Sequence, residues 1–443
     1  MENLDYILLI SYFAIVLLIG IFSSSRKNDE LFLIANRKLG FGNLIATISA
    51  GLLGGGVLIT YTAYVFEFGL SAIWFIFGIS LGLLFFLFFY KKLKKIADDN
   101  NLYTISDYYH LIFGKKAGYL SAFVIFVWAF SLILMQFIAG GKILAIITGF
   151  SYEFSVILMG GVVLIYLLLG GFNSVVKTDY FQYVIIIVFS FVLFYFLSGN
   201  IPTFAPNQLS LGNMGLSQSL AFVIIGSFNL VVSADIWQRI FASKDNKNAK
   251  IGIIGSSAIV LIIGIALSII GLLTQNLFPD IKPDDALTIG ISHLLTKGFL
   301  GVGMVLLFSV IMSTLDTMLF VTSMNISNDF ISHKWSISKS NKVKYTRYSI
   351  IILEIIGTIF AIYIQNIISV GLALSGIGFS LVPSIIGSFK YKLSSLAVII
   401  SIVSGLISIL IVLLLGIIGP ETSIISLPVS FVVLIIANKI IKS

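Results

Sequence analysis

One apolar stretch, FSVIMSTLDTMLFVTSMNISNDF at residues 308–330, carries Ser313, Thr314 and Asp316 within four positions, with Thr317, Thr322, Ser323, Asn325, Ser327 and Asn328 behind them. Serine and threonine alone are unremarkable in an apolar helix, because their hydroxyls bond back to the carbonyl four residues earlier. Beside a carboxylate they form a different set. A few hard oxygens with a negative charge close by suit a monovalent cation without a dedicated anionic cage. A second carboxylate, Asp179, stands in GGFNSVVKTDYFQYVIIIVFSF at 170–191, between a glycine pair and an oily run. Ionisable groups at membrane depth are expensive and mark ion or substrate paths, each needing a partner. Five stand out: Lys142, Asp179, Asp235, Asp316 and Glu354. Lys142, near the outer end of its segment, can snorkel to the interface. Asp235 and Arg239, four apart near the cytoplasmic face, read as an i,i+4 pair.

These residues need elements to position them, and composition says which kind. The 443 residues are 58% hydrophobic and only 10% charged, whereas soluble domains sit near a quarter charged. Apolar runs of membrane-crossing length recur from Tyr6 to Ile441 with no soluble domain between them. The expectation is an all-α integral membrane protein forming one transmembrane domain over 1–443. Long continuous runs argue against a membrane barrel, whose strands are short and alternate in polarity. Without cysteine there are no disulfides, thiol catalysis or cysteine metal sites. The first run, Tyr6 to Phe22, lacks a basic leader and a cleavage pattern and reads as a retained helix.

Thirteen spans are expected, at about 6–22, 41–68, 70–91, 117–147, 154–170, 175–198, 217–241, 249–274, 297–330, 345–364, 367–388, 394–417 and 423–440. Basic residues gather in alternate loops: Arg26, Lys27, Arg37 and Lys38; Lys91 to Lys116; Lys177; Arg239 to Lys250; Lys334 to Arg347; Lys390, Lys392, Lys439 and Lys442. The other side holds Glu2, Asp5, Glu153, Asp280, Asp284, Asp285 and Glu421. This places the N-terminus outside and the C-terminus in the cytoplasm of a multi-pass cell-membrane protein. The net charge of +8 is thereby an orientation signal and implies no nucleic-acid partner. In the outer loop at 275–296, FPDIKPDD precedes a short lid helix expected from Ala286.

Two spans read as interrupted. In SAGLLGGGVLITYTAY, Gly54, Gly55 and Gly56 fall at mid-membrane, where each glycine costs a helix about 1 kcal/mol relative to alanine. Non-helical backbone at that depth is tolerated only where protein or a cavity satisfies it. Five spans later, AFVIIGSFNLVVSAD sets Gly226, Ser227 and Asn229 at a comparable depth. Either a second break falls there, as in an inverted repeat of five helices, or Gly226 serves close helix packing.

GGFNSVVKTDYFQ at 170–182, IWQRIFASKDNKNA at 236–249, MSTLDTML at 312–319 and FLIANRKLGFGNLIATISAG at 32–51 resemble, in order and spacing, the sodium/solute symporters, the group that includes bacterial proline, sialic acid and galactose carriers. The resemblance covers essentially the whole chain. It implies inverted five-helix repeats of the leucine-transporter type with an extra N-terminal helix: one repeat at about 41–198, the other at about 217–388, flanked by 6–22, 394–417 and 423–440. It also implies a sodium ion held by the backbone carbonyls of Ala50, Leu53 and Val310 and the hydroxyls of Ser313 and Thr314. Some members bind a second sodium, and the matching positions are Asp179, Asp316 and Thr317; Asp316 replaces a hydroxyl of that pattern. Asp316 could instead titrate or pair with Lys177 or Arg239. On the substrate side, the polar residues of sugar carriers are replaced by Leu52, Gly54, Gly56 and Val57. A half-helix N-terminus at Gly54, Gly55 and Gly56 suits a carboxylate, with Trp74, Gln136, Phe228 and Asn229 as pocket walls.

The function so implied is sodium-coupled uptake of a small organic solute, an amino acid or small carboxylate, by alternating access, from a monomer in the lipid bilayer. The rivals are a proton-coupled carrier using Asp179, Asp316 or Glu354, and a transport-impaired sensor. A membrane enzyme has no support: there is no H-E-x-x-H motif, and His110, His293 and His333 lie in or near loops.

Overall fold

A computed structural model describes residues 3–24, 28–198, 203–294, 300–364 and 367–442. The expected loop residues Arg26 and Lys27, and the start of the span expected at 297–330, lie outside the described residues. Among the described residues the architecture is helical throughout. Among the described residues, ten helices are long and apolar enough to cross a membrane, or eleven if the bent pair Gly215–Val231 and Ala234–Ala242 counts as one span. The expected thirteen is not reached by that criterion. Helix Phe41–Leu52, for one, is apolar but too short to cross alone.

Burial sorts the bundle into centre and rim. In the most apolar 18-residue stretch of Gly301–Trp335, 94% of the residues are buried within the protein, against 28% for the corresponding stretch of Asn3–Phe22 and 22% for that of Pro420–Ile441. A helix hydrophobic all round and covered all round is a central one. Helix Leu300–Met324 packs against Lys115–Thr148, Phe172–Ser198, Asn3–Phe22 and Phe41–Leu52, so its Ser313, Thr314 and Asp316 are positioned to meet side chains and carbonyls of other helices. Apolar residues of Pro420–Ile441 such as Phe431, Val432, Ile435 and Ile436 are exposed at the rim of the bundle.

The glycine break is present. Helix Phe41–Leu52 stops at Leu53, Gly54 is extended at φ −54° and ψ 161°, and a new helix runs Gly55–Phe68. The second break differs from the expectation. Helix Gly215–Val231 passes through Gly226 intact, and the chain bends by 46° only after Val232 and Ser233. Gly226 serves close packing instead: a Cβ there would come within 2.5 Å of the Phe75 carbonyl and 2.7 Å of the Ile79 nitrogen on helix Ile73–Phe85.

Two helices fall where only a basic connector was expected, Tyr90–Asp99 and Ile105–Phe113. The second starts with a capping box in which the Thr104 hydroxyl and Asp107 carboxylate satisfy each other's backbone N–H groups. In the loop at 275–296, a turn at Pro283–Asp285 leads into helix Ala286–Leu294, in agreement with the short helix expected from Ala286.

Candidate functional site

A helix end leaves its last carbonyls without intrahelical partners, at the negative pole of the helix dipole. Because Phe41–Leu52 ends inside the bundle, these oxygens are buried. The Leu53 N–H takes the Ser49 carbonyl at 3.1 Å. Helix Leu300–Met324 meets the next two: the Ser313 hydroxyl donates to the Ala50 carbonyl at 2.9 Å and the Thr314 hydroxyl to the Gly51 carbonyl at 3.0 Å. The Val310 carbonyl lies 3.0 Å from Ser313 Oγ and 3.5 Å from Thr314 Oγ1. Leu53 shares a small apolar cavity with Val310 and Leu58. A side chain on Gly54 would overlap Thr314, so glycine there allows the two helices to touch. Ala50, Leu53, Val310, Ser313 and Thr314 are all buried. The donor set is oxygen only and includes hydroxyls that can turn from donor to acceptor. That chemistry fits a hard monovalent cation.

Below it lies a buried charge cluster. Arg239 donates through Nη1 to Asp235 at 2.9 Å, through Nη2 to Asp179 at 3.2 Å and Thr317 at 2.9 Å, and through Nε to Thr47 at 2.9 Å. The Asp235 pairing agrees with the i,i+4 expectation, but the guanidinium is fully buried and joins four helices. The Thr47 hydroxyl also donates to Asp179, and the Ser233 hydroxyl to Asp235. Asp316 pairs with neither Lys177 nor Arg239. It accepts from the Tyr166 hydroxyl at 2.6 Å and the Thr178 hydroxyl at 3.1 Å. Among the described residues, Asp179 Oδ1, Asp316 Oδ1, Gln182 Oε1 and Ser49 Oγ are buried without hydrogen-bond partners.

Beside the break opens a cavity of ≈ 140 Å³. A void of about 150 Å³ on this scale holds one benzene ring, so the space suits a solute the size of a single small ring. Gly54, Gln136 and Asn229 line it, together with Thr60, Tyr64 and Trp128. Helix Gly55–Phe68 has no side-chain cap, and its first internal bond is from the Leu58 N–H to Gly54. The N–H groups of Gly55, Gly56 and Val57 therefore stand at its positive end. Asn229 donates to Ser375 at 2.8 Å, leaving Asn229 Oδ1 and Thr60 Oγ1 without partners among the described residues. Trp74 and Phe228 are outside the lining. The Trp74 indole donates to the Leu211 carbonyl at 3.0 Å, and Phe228 packs on the core.

Sequence reasoning missed Thr47, Tyr166 and Thr178 around the carboxylates and Tyr64 and Trp128 around the cavity. Thr178 is next to Asp179, which was a usable signal. The others are single residues in apolar runs, and only the packing of distant helices identifies them.

The family model described as "Sodium:solute symporter family" matches residues 32–386. The sodium/proline symporter of Staphylococcus aureus (strain Newman) is 26% identical over 421 residues, covering 87% of this chain and 81% of that one. Among solved structures, a Na+-coupled sialic acid symporter in a substrate-bound outward-open state superposes with a TM-score of 0.82 at 17% identity, covering 99% of this chain and 97% of that one. Mhp1, a nucleobase-cation-symport-1 family transporter in a closed conformation with bromovinylhydantoin bound, superposes at 0.59 with 13% identity, covering 93% and 94%. The last two likenesses concern the fold.

Proposed function

The chain belongs to the sodium:solute symporter family, and on that premise we propose that it draws one small organic solute into the cell with sodium by alternating access. The observation that carries this reading is the contact across the helix break, where Ser313 and Thr314 reach the end carbonyls Ala50 and Gly51. Sodium bound by Ala50, Leu53, Val310, Ser313 and Thr314 ties the broken helix to helix Leu300–Met324. A cation shared between two helices favours the arrangement in which they are close. That difference in affinity is what lets a gradient shift the conformational equilibrium. Membrane potential adds about 2.3 kcal/mol per charge per 100 mV.

The finer architecture of this reading is thirteen spans with the N-terminus outside and the C-terminus in the cytoplasm, five-helix repeats at about 41–198 and 217–388, and a monomer as the working unit. The two interrupted helices, Phe41–Leu52 with Gly55–Phe68 and Gly215–Val231 with Ala234–Ala242, are the corresponding first members of such repeats.

For the solute, a small amino acid or carboxylate fits best. Its carboxylate would meet the N–H groups of Gly55, Gly56 and Val57, its ring or short chain the wall of Trp128 and Tyr64, and a donor group the Asn229 oxygen. The sodium/proline symporter relative agrees with this class. At the second ion position Arg239 already donates to both Asp179 and Thr317, so an ion there must displace a guanidinium. The free oxygens of Asp179 and Asp316 support a second reading, in which a proton accompanies or replaces sodium.

A thermal-shift screen of purified protein in sodium against choline, over amino acids, small carboxylates, sugars and vitamins, identifies the solute, because a bound ligand stabilises by mass action. Uptake of the hit into proteoliposomes should then require an inward sodium gradient. Equal uptake on a pH gradient in choline would overturn sodium coupling in favour of the proton.

A further inference from the structure

The polar stretch at 308–330 continues past the proposed sodium site. At its inner end helix Leu300–Met324 widens into a π-helical turn, Asn325–Ser332, a form found mostly at functional sites. From Thr314 to Asn325 is eleven residues, about 16 Å along a helix axis. There Asp329 is fully buried. It accepts only from neutral groups: Thr104 Oγ1 at 2.6 Å, Asn328 Nδ2 at 2.7 Å and Asn325 Nδ2 at 2.9 Å. Among the described residues no Lys, Arg or His nitrogen comes within 4.0 Å of its carboxylate. A His333 nitrogen lies within 4.8 Å of it but is bonded to Asp107, and a buried carboxylate without a direct charged partner is unfavourable.

Beside Asp329 lies a small cavity of ≈ 10 Å³, lined by Thr104, Gln238, Met324, Asn325 and Asp329 among others. That is close to the space one water or one small ion fills. Two of the lining side chains have an amide oxygen without a partner, Gln238 Oε1 and Asn325 Oδ1. Gln238 is 2% and Asn325 1% exposed, so bulk water does not satisfy either oxygen.

We propose that Asp329, Asn325, Gln238 and Thr104 form a separate cation site at the inner end of this helix, selective for a monovalent ion. One carboxylate balances one charge, and two amide oxygens with a hydroxyl complete a hard oxygen shell. The neighbouring cluster disfavours a divalent metal. Asp107, the other nearby carboxylate, is engaged by His333 Nε2 at 2.7 Å and Asn328 Nδ2 at 2.7 Å. Lys342 donates to Asn328 Oδ1 at 2.5 Å and adds positive charge on that side. The site shares helix Ala234–Ala242 with Arg239 and the central helix with Ser313. Sodium leaving the proposed upper site toward the cytoplasm would reach this carboxylate after Asp316 and Asp179.

The test uses the purified full chain and sodium alone. Binding of radioactive sodium is measured by scintillation proximity in choline-balanced buffer for wild type, Ser313→Ala with Thr314→Ala, Gln238→Leu with Asn325→Leu, and Asp329→Asn. Asp329→Asn keeps the shape of the side chain and removes its charge, so it remains informative if the leucine pair fails to fold. Two binding components are expected in wild type. The serine–threonine pair should weaken one, and Asp329→Asn the other by roughly tenfold or more, a factor that needs only about 1.4 kcal/mol of lost attraction. A single component untouched by Asp329→Asn overturns the inner site and assigns the cavity to a water beside a protonated carboxyl. A single component untouched by Ser313→Ala with Thr314→Ala but abolished by Asp329→Asn overturns the upper sodium site and leaves the inner one standing.

Discussion

Replacing Ser313 by alanine removes one hydroxyl from the proposed sodium site and, unlike replacement of Thr314, touches no residue of the solute cavity's lining. The hydroxyl sits 2.9 Å from the Ala50 carbonyl and 3.0 Å from that of Val310. As a ligand to a charge it is worth about 1.5–3 kcal/mol, so its loss should raise the half-saturating sodium concentration roughly 10- to 150-fold. Without sodium the same hydroxyl contributes only about 1 kcal/mol as a neutral hydrogen bond. The melting temperature in choline should therefore fall little, and most of the loss should be seen in the sodium-induced rise. Thr314→Ala should act similarly but also change solute affinity at saturating sodium. The double variant should cost less than the sum, since both hydroxyls address the Val310 carbonyl. The assay is a thermal-unfolding titration of purified protein with sodium chloride against choline chloride. A half-saturation point for Ser313→Ala within twofold of wild type would refute the assignment of this hydroxyl to the ion.

In the charge cluster, Arg239→Gln leaves Asp179 and Asp235 without their guanidinium and should destabilise by about 3–5 kcal/mol; adding Asp179→Asn should recover part of the lost melting temperature, and no recovery would place the main cost elsewhere. Asp179→Glu keeps the charge and Asp179→Asn removes it, so sodium affinity should fall more in the asparagine variant if the carboxylate attracts the ion, and equally in both if it serves only to position Thr47. Gly226→Val should lower thermal stability by about 1–3 kcal/mol or more, since it drives a side chain into helix backbone, measurable as a drop in melting temperature and in monodisperse yield. In helix Ile105–Phe113, burial first and then the neighbouring His333 depress the His110 imidazole from 6.5 to about 4. A base depressed on folding contributes stability that is full above 6.5 and lost as the pH falls toward about 4; His110→Phe should flatten that part of the melting-temperature profile, and an unchanged slope would assign it to other groups.

The first helix break was legible because three consecutive glycines in an apolar run weaken a helix far more than close packing alone requires. The hydroxyl pair at Ser313 and Thr314 was legible because an aspartate stands two residues away. The second break was not, because a membrane glycine has two uses. Gly226 lets helix Gly215–Val231 approach Ile73–Phe85, while the chain turns at Val232 and Ser233, which carry no glycine at all. Sequence proximity accounts for only part of what Arg239 does. Its pairing with Asp235 is local, but Asp179, Thr47 and Thr317 lie 60, 192 and 78 residues away. Trp74 looked like a pocket wall because it is a tryptophan near the break. Its indole instead donates to the Leu211 carbonyl, and Trp128 takes the wall position.

The arrangement of charge explains why a site with no anionic ligand of its own could still hold a cation. Asp179, Asp235 and Asp316 are all fully buried around a single guanidinium. Asp179 Oδ1 and Asp316 Oδ1 keep lone pairs without a hydrogen-bond donor among the described residues, in a medium that screens poorly. The carbonyls at the end of helix Phe41–Leu52 point the negative pole of a dipole at the same place. A cation at the proposed site would thus be attracted by groups beyond its immediate neighbours, while the atoms that would touch it are neutral carbonyls and hydroxyls on two different helices. Separating those helices removes ligands without having to break a direct ion pair. Affinity then depends steeply on conformation, and the ion can leave once the helices part, which a rigid cage of carboxylates would prevent. Coupling needs that combination: binding strong enough to favour one arrangement, and weak enough in the other to release the ion inside.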